Sequence, residues 1–331
     1  MSPPFQLPEV DCVVVNRDGG DSLFAALRSL EAQTGIDLSV VVIDNASSPA
    51  ERERLARETP AVRVIAFSEN LGFAGAANEG IARTRAPFVL LLNNDATLAS
   101  DYVARLAARL ALDDRLAAVQ GLVLTADATR IDSAGLDWNA RREAVPFLGG
   151  EDPSSVPDRI FEVSGVSATA ALYRRDALED VAGPAEVFEP SFFAYYEDVD
   201  LSLRLARAGW RFACEPAAVA RHEGSRTGSR TPWKRAMWVA RNRWRTLFRN
   251  FEPCLVRREV PRLLRSDLAH ARSVGWRAPL LLLSVWAPLA FIARATTPAA
   301  AGGARPLADW PRTGGASGGS QGPAGRGRLA G

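Results

Sequence analysis

Continuous apolar runs alternate with helical periodicity over the first 125 residues. Asp11 to Asn16 reads as a buried strand that stops on Asn16-Arg17-Asp18-Gly19-Gly20. Asp21 or Ser22 can cap the helix that follows, whose Leu23, Ala26, Leu27 and Leu30 share one face. Leu38 to Ile43 makes a second strand and ends on Asp44-Asn45. A helix and the strand Val62 to Phe67 come next, then Glu69-Asn70-Leu71-Gly72-Phe73-Ala74-Gly75 and a helix through Ile81. Phe88 to Leu92 is a fourth strand, closed by Asn93-Asn94-Asp95. Unbroken runs of Val, Ile and Leu between helices belong to parallel strands covered on both faces. The pattern predicts an α/β fold: a doubly wound, mostly parallel sheet with helices on both faces.

The pattern then changes. Ile131 to Asp158 shows little periodicity and predicts loops with short strands. Val163 to Tyr173 is small and alternating, and Arg174-Arg175-Asp176 opens a short helix. Leu201, Leu205 and Ala208 fall at helical spacing after Phe192-Phe193-Ala194-Tyr195-Tyr196-Glu197-Asp198-Val199-Asp200. Trp233 to Phe251 predicts an amphipathic helix in which Trp, Met and Leu interleave with arginine. Three parts are expected: a catalytic domain over 1–230, a helical arginine-rich extension over 231–298, and a disordered Gly/Ala/Pro-rich tail over 299–331.

Composition adds a few limits. The formal net charge of +2 hides an uneven distribution, with most acids before residue 200 and arginine dense from Arg221 to Arg277. Lys234 is the single lysine, a bias that a GC-rich genome explains without invoking phosphate recognition. The three cysteines, Cys12, Cys214 and Cys254, are too scattered for a disulfide framework or a metal-site spacing. Met1 to Pro8 lacks a basic start and an apolar run, so no secretory signal is expected and a cytoplasmic location is. Ala278 to Ala293 is uncharged but short of the about 20 apolar residues a membrane span needs, and it contains Pro279 and Pro288. Behind an arginine-rich stretch it suits a segment lying on an anionic membrane surface; a core helix is the alternative.

Asn16, Asp44, Asn70 and Asp95 each follow a strand, where open α/β sheets bind ligands. Turn chemistry alone also favours Asn and Asp there. The densest chemistry lies at 192–201, where two aromatic pairs meet three carboxylates. Carboxylates against rings lose water, which raises a pKa and prepares a proton acceptor. The plainer alternative makes Asp198 a helix N-cap and pairs Asp200 with Arg204 one turn on.

Val13-Val14-Val15-Asn16, Val41-Val42-Ile43-Asp44-Asn45-Ala46-Ser47, Glu69 to Gly75, Leu92-Asn93-Asn94-Asp95 and Tyr196-Glu197-Asp198-Val199-Asp200-Leu201 occur in that order. Across roughly 10–250 the chain resembles the family 2 inverting glycosyltransferases with the GT-A fold, especially the rhamnosyltransferase-like branch. The resemblance implies a nucleotide-diphosphate-sugar donor, dTDP- or UDP-linked, held by Asn16, Asp44, Asn70 and Asn94. Asp44 would accept from a pyrimidine N3–H, or else only close an Asx turn through Ser47. It implies Mg²⁺ or Mn²⁺ at Asp95 and His222, although Asn93 stands where many relatives have Asp. Asp198 matches the base that deprotonates the acceptor hydroxyl, and Gly165, Tyr196 and Glu197 border the acceptor. Tyr195 joins Tyr196 as a candidate wall of that site. Arg17, in place of a common Tyr, and Ala76-Ala77, in place of Gly-Asn, are departures near the donor.

The implied acceptor is a cell-envelope or lipid-linked glycan at the inner face of the cytoplasmic membrane. Asn16-Arg17-Asp18-Gly19-Gly20 lacks the Gly-x-Gly-x-x-Gly of a dinucleotide enzyme, which excludes that class. A catalytically impaired nucleotide-sugar-binding or scaffold subunit is the alternative, raised by the thin Asn93-Asn94-Asp95 motif. No nucleic-acid partner is expected, because tryptophans among the arginines favour a lipid surface.

Overall fold

The computed structural model describes residues 7–139, 143–182, 186–224, 232–273 and Leu307. The first strands and helices follow the predicted alternation: β1 (Glu9–Asn16), α1 (Asp21–Glu31), β2 (Asp37–Asn45), α2 (Pro49–Glu58), β3 (Arg63–Phe67), α3 (Gly72–Ile81) and β4 (Phe88–Asn93). Then come β5 (Ala96–Leu98), α4 (Tyr102–Leu112) and β6 (Leu116–Thr125), followed by short strands β7 (Ile131–Ser133), β8 (Leu136–Trp138), β9 (Ala144–Pro146) and β10 (Phe161–Val163). The remainder is β11 (Ala170–Arg174), α5 (Arg175–Ala182), α6 (Glu197–Arg207), β12 (Arg211–His222), α7 (Pro232–Asn250) and α8 (Pro253–Ser273).

The main sheet runs β10-β12-β6-β11-β4-β1-β2-β3, with β5 on β12 and β7 on β6. The β4-β1-β2-β3 half is parallel throughout, as the apolar runs predicted. β11 is inserted antiparallel between β4 and β6. That insertion makes the sheet mixed and brings the 165–169 segment to the carboxyl end of β4.

Alternation along each strand sorts side chains onto two faces. Cys12 and Val14 of β1 join Leu23 and Leu27 of α1, Leu55 of α2 and Leu106 and Leu110 of α4 on one face. Val13 between them joins Ala77 and Ile81 of α3, Leu178 of α5 and Leu201 and Leu205 of α6 on the other. Each such fully buried aliphatic side chain contributes about 1.5–3 kcal/mol relative to exposure.

Two capping expectations are corrected. Asp21 is the first residue of α1, not its cap, because Gly20 fills that position at φ 58°. Asp198 is likewise inside α6, whose cap position is Tyr196.

The C-terminal helices pack against α6. Val199 and Leu203 of α6 face Trp244 and Leu247 of α7, with Phe251 and then Val256 and Leu263 of α8 in the same cluster. Buried Arg243 bridges Glu143, at 2.9 Å, and Asp267. Trp244 Nε1 donates to Asp267 Oδ2 at 2.7 Å. Leu307, inside the tail expected to be disordered, makes an isolated parallel bridge with Phe251. The 278–293 stretch lies outside the described residues. Among the described residues no helix is long and apolar enough to cross a membrane.

Removing one partner of a buried ion pair leaves the other charge uncompensated, typically a loss of about 3–5 kcal/mol. Asp267→Ala is expected near the low end, about 3 kcal/mol, because Glu143 still faces Arg243. The check is the urea midpoint of the full chain, with Glu53→Ala on the exposed surface of α2 as an unaffected control.

Candidate active site

The parallel register aligns the carboxyl ends of the strands. Asn16 pairs with Asp44, and Val15 with Asn93, so two of the predicted positions and the start of the Asn93-Asn94-Asp95 motif meet at one edge. Asn16 is fully buried and organises this edge. Its Nδ2 reaches Ser47 Oγ and Glu51 Oε1, both at 3.4 Å, while its Oδ1 accepts from Gly19 N at 3.2 Å and Asn94 Nδ2 at 2.8 Å. Glu51 also accepts from Gly20 N at 3.0 Å, tying α2 to the first loop. Asp44 does close the Asx turn, accepting from Ser47 N at 3.3 Å. Its other oxygen takes Arg52 Nε at 2.6 Å, so the carboxylate is fixed in place. Asn70 Oδ1 accepts from Asn45 Nδ2 at 3.0 Å and Gly72 N at 2.9 Å, shaping the turn into α3.

Asp95 and His222 meet although 127 residues separate them in sequence. β5 pairs with β12 so that Ala96 lies opposite His222. His222 Nε2 is 3.1 Å from Asp95 Oδ1, and Nδ1 is 2.9 Å from Asp132 Oδ2 on β7. Burial opposes charge on this ring, but the two carboxylates outweigh it and raise the imidazole to about 9. Among the described residues no group of three or more His, Cys, Asp or Glu forms a ready metal cage. The donor set still suits a hard divalent cation that draws its other ligands from water and substrate phosphate. A carboxylate on the far ring nitrogen, here Asp132, is the usual support of a ligating histidine.

Asp198 is partly exposed near the start of α6. Its Oδ1 accepts from Val199 N at 2.8 Å and its Oδ2 from Ala168 N at 3.3 Å. Desolvation nevertheless lifts its carboxyl above the usual range. Adjacent Glu197 is 7% exposed, and its Oε2 has no hydrogen-bond partner among the described residues. Burial, then the neighbouring Asp198 charge, pushes it well upward. Asp200 has the structural role the helix-start alternative gave it, and a larger one. Wholly buried, it accepts from Arg204 Nε at 2.9 Å, Arg249 Nε at 3.2 Å and Asn250 Nδ2 at 2.8 Å.

The chain reaches α6 through an unusual turn. Phe193, Tyr195 and Tyr196 take φ of 66°, 70° and 71°. Asn242 of α7, fully buried, directs Nδ2 at the carbonyls of Phe192, Ala194 and Tyr195, at 2.9, 2.9 and 2.7 Å. Phe193 O accepts from Ala74 N at 3.2 Å, and Gly72, at φ 72°, leaves no room for a Cβ against Phe193. The loop before α3 and the turn before α6 are thereby locked together. The ring of Tyr196 lies in the cluster beneath α7 with Phe192, Leu203 and Trp244, whereas Tyr195 is half-buried against Trp238. Gly165 is small because a Cβ would lie 2.6 Å from Ser202 Oγ on α6.

The 165–169 segment joins the two halves of the site. Thr169 O accepts from Asn93 N at 2.9 Å, and Ala168 N donates to Asp198. Asp95 is thus two residues from a strand end bonded to the segment that holds Asp198. Asp132 and Asn242 were missed in the sequence, the first in a weakly patterned loop and the second inside an amphipathic helix. An open cleft of about 680 Å³ lined by Glu9, Asp11, Arg63 and Arg83 lies at the opposite, amino ends of the strands, remote from all these groups.

Comparison with known proteins fits this geometry. Residues 11–182 match the family model Glycosyl transferase family 2. The chain is 35% identical over 112 residues to the succinoglycan biosynthesis protein ExoO of Rhizobium meliloti, covering 33% of this chain and 32% of that protein. It is 26% identical over 247 residues to the N-acetylglucosaminyl-diphospho-decaprenol L-rhamnosyltransferase of Mycobacterium tuberculosis, covering 66% of this chain and 78% of that one. The chain thus spans about a third of the first relative and over three quarters of the second. The mannosyltransferase PcManGT of Pyrobaculum calidifontis, solved with GDP-Man and Mn²⁺, superposes with a TM-score of 0.54 at 20% identity over 89% of this chain and 85% of that one. The shared GT-A fold is what that last likeness shows.

Left-handed conformations at non-glycine residues cost about 1–3 kcal/mol each and persist only when their surroundings enforce them. Asn242→Ala is expected to release the 192–196 turn. Amide hydrogen exchange at Ala194 to Glu197 should quicken at least tenfold, while β1 and β4 amides keep their protection.

Proposed function

The chain belongs to glycosyl transferase family 2, and from that premise we propose that it moves a sugar from a dTDP- or UDP-linked donor to a hydroxyl of a cell-envelope or lipid-linked glycan. The single observation that carries this reading is the link, through 165–169, between a desolvated carboxylate at Asp198 and the Asp95–His222 pair. The displacement needs a proton acceptor on one side of the anomeric carbon and charge stabilisation on the other.

In the proposed step the acceptor O–H gives its proton to Asp198 while its oxygen bonds the anomeric carbon. The bond to the diphosphate oxygen breaks on the opposite face, its electron pair leaves with the diphosphate, and the configuration inverts. Asp198 suits the base because its carboxyl is lifted toward neutrality yet keeps a solvent-facing side. Asp95 and His222 are the residues that would hold Mg²⁺ or Mn²⁺, with Asp132 orienting the ring. Such an ion, when bound, neutralises charge on the departing diphosphate. Mn²⁺ in the Pyrobaculum enzyme supports this assignment.

Asp44 retains lone pairs for a pyrimidine N3–H while Arg52 fixes its orientation. Asn16, Asn70 and Asn94 shape the donor mouth through the loop network. Gly165 and Glu197 border the acceptor side, and Tyr195 replaces Tyr196 as the aromatic wall, since Tyr196 is buried. The Mycobacterium relative supports rhamnose as the sugar and a lipid-linked acceptor, which goes with a cytoplasmic enzyme working at the inner membrane face.

Asp198→Asn is expected to lower kcat/KM by about 10²–10⁴-fold with nucleotide affinity unchanged. Turnover near wild type in that variant would move the base elsewhere. Because Asp198 must be ionised and its pKa is raised, activity should fall on acidification at a pH above the ordinary Asp value of about 3.9. A kcat/KM–pH profile reads that limb. Asp132→Asn is expected to raise the half-saturating Mn²⁺ concentration about 10–100-fold. Activity untouched by EDTA would remove the metal assignment.

A further inference from the structure

One face of α7 is cationic and aromatic, and the chemistry assigned above leaves it unused. Trp238, Arg241 and Arg245 stand at i, i+3 and i+7 and so share a face, with Arg235 one turn earlier. This face lies against Ser191 to Tyr195, the segment that leads into Glu197 and Asp198. The Trp238 ring is 5.2 Å from Phe193 and 6.3 Å from Tyr195, stacked on the latter at 30°. The Arg235 guanidinium sits 5.6 Å over the Tyr195 ring.

The two inner arginines are paired in an unusual way. Arg241 Nη2 donates to Phe192 O at 3.0 Å and Ser191 O at 3.4 Å, and Arg245 Nη1 donates to the same Ser191 carbonyl. Two guanidiniums therefore converge on one neutral acceptor. Arg249, next along the helix, shows the ordinary solution, binding Glu189 at 2.9 Å and Asp200 at 3.2 Å. Glu189 attracts Arg245 at longer range but accepts a hydrogen bond from Arg249. Burial, and then the charge of Arg245, depress Arg241 to about 10. Among the described residues no hydrogen bond occupies Arg241 Nη1 or the Nε and Nη2 of Arg245. Like charges held this close are relieved by an anion that both forks can grip.

We propose that Arg241 and Arg245, with Arg235 and the Trp238–Tyr195 stack, form a diphosphate-binding subsite for the acceptor. The phosphates sit between the two guanidinium forks, and the attached sugar lies along the aromatic rings toward Asp198. That the anion belongs to an acceptor rests on the proposed function; that the arginines bind a diphosphate does not.

The test uses the full chain and three probes: farnesyl diphosphate, inorganic pyrophosphate, and phosphatidylglycerol vesicles. Calorimetry measures each against wild type, Arg245→Gln, Arg241→Gln/Arg245→Gln and Asp95→Asn, with thermal unfolding as the folding check. Arg245→Gln covers the case in which the double variant fails to fold, since it removes a single hydrogen bond to Ser191. Expected is farnesyl diphosphate binding that weakens about tenfold in Arg245→Gln and further in the double variant. Pyrophosphate should follow the same order, and Asp95→Asn should leave both unchanged. Diphosphate binding lost in Asp95→Asn but kept in the arginine variants would place the probes in the donor site and overturn the proposal. Arginine-dependent binding of vesicles without binding of either diphosphate would make the face a membrane contact, which also overturns it. If both diphosphates bind through the arginines while no nucleotide sugar turns over, the subsite stands and the transferase reading falls.

Discussion

Three consecutive-turn residues in left-handed backbone, none of them glycine, precede the proposed base, and the rest of the site depends on their being held there. Phe193, Tyr195 and Tyr196 together carry several kcal/mol of strain at about 1–3 kcal/mol each. Asn242 offsets it with an amide aimed at three carbonyls of the turn, and Arg241 adds a fourth contact. On the other side Phe193 O is taken by Ala74 N. The turn is thus clamped between α3, which carries the donor-side loop, and α7, which carries the cationic face. Displacing either helix would move Asp198.

The same constraint explains why α6 begins with three carboxylates of different character. Asp200 is fully buried, and two guanidiniums and an amide donate to it. Glu197 is nearly as buried and has an oxygen without a partner, so its charged form is disfavoured. Asp198 lies between these extremes, with two backbone N–H groups stabilising the anion and desolvation opposing them. Spacing along the helix separates the three fates. Asp200 points at α7, Glu197 turns inward toward Tyr173, whose hydroxyl also lacks a hydrogen-bond partner among the described residues, and Asp198 keeps a solvent-facing edge.

Much of this was legible in the chain. The apolar runs of β1 to β4 named a parallel sheet because no polar alternation interrupts them, and their terminal Asn and Asp residues gather along one edge of it. The pairing of Asp200 with Arg204 followed from helical spacing alone. The antiparallel entry of β11 was not legible, since a five-residue strand of small residues carries no sign of which neighbours it will take. Asp132 was hidden for a related reason: its role exists only once β7 pairs with β6 and β6 with β12. Sequence shows the charge of the α7 arginines and not their contacts: Arg241 and Arg245 donate to carbonyls of the turn beside the proposed base, whereas Arg243 and Arg249 pair with acids.

That last difference bears on how acceptor and donor come to share one centre. The proposed donor side is built by strand ends, whose positions the sheet register fixes to within a hydrogen bond. The proposed acceptor side is built by a turn and a helix that reach the sheet only through side chains and a few backbone bonds. Rigidity on that side therefore comes from buried polar contacts, and Arg243 with Asp267 and Glu143 extends them outward to α8. Such a division lets α7 change its outer residues without disturbing the strand ends. In this chain the division falls at 165–169, where backbone bonds to Asn93 and to Asp198 are made from neighbouring residues. A change of acceptor is thus expected to be written in α7 and the turn, and a change of donor in the loops after β1, β2 and β3.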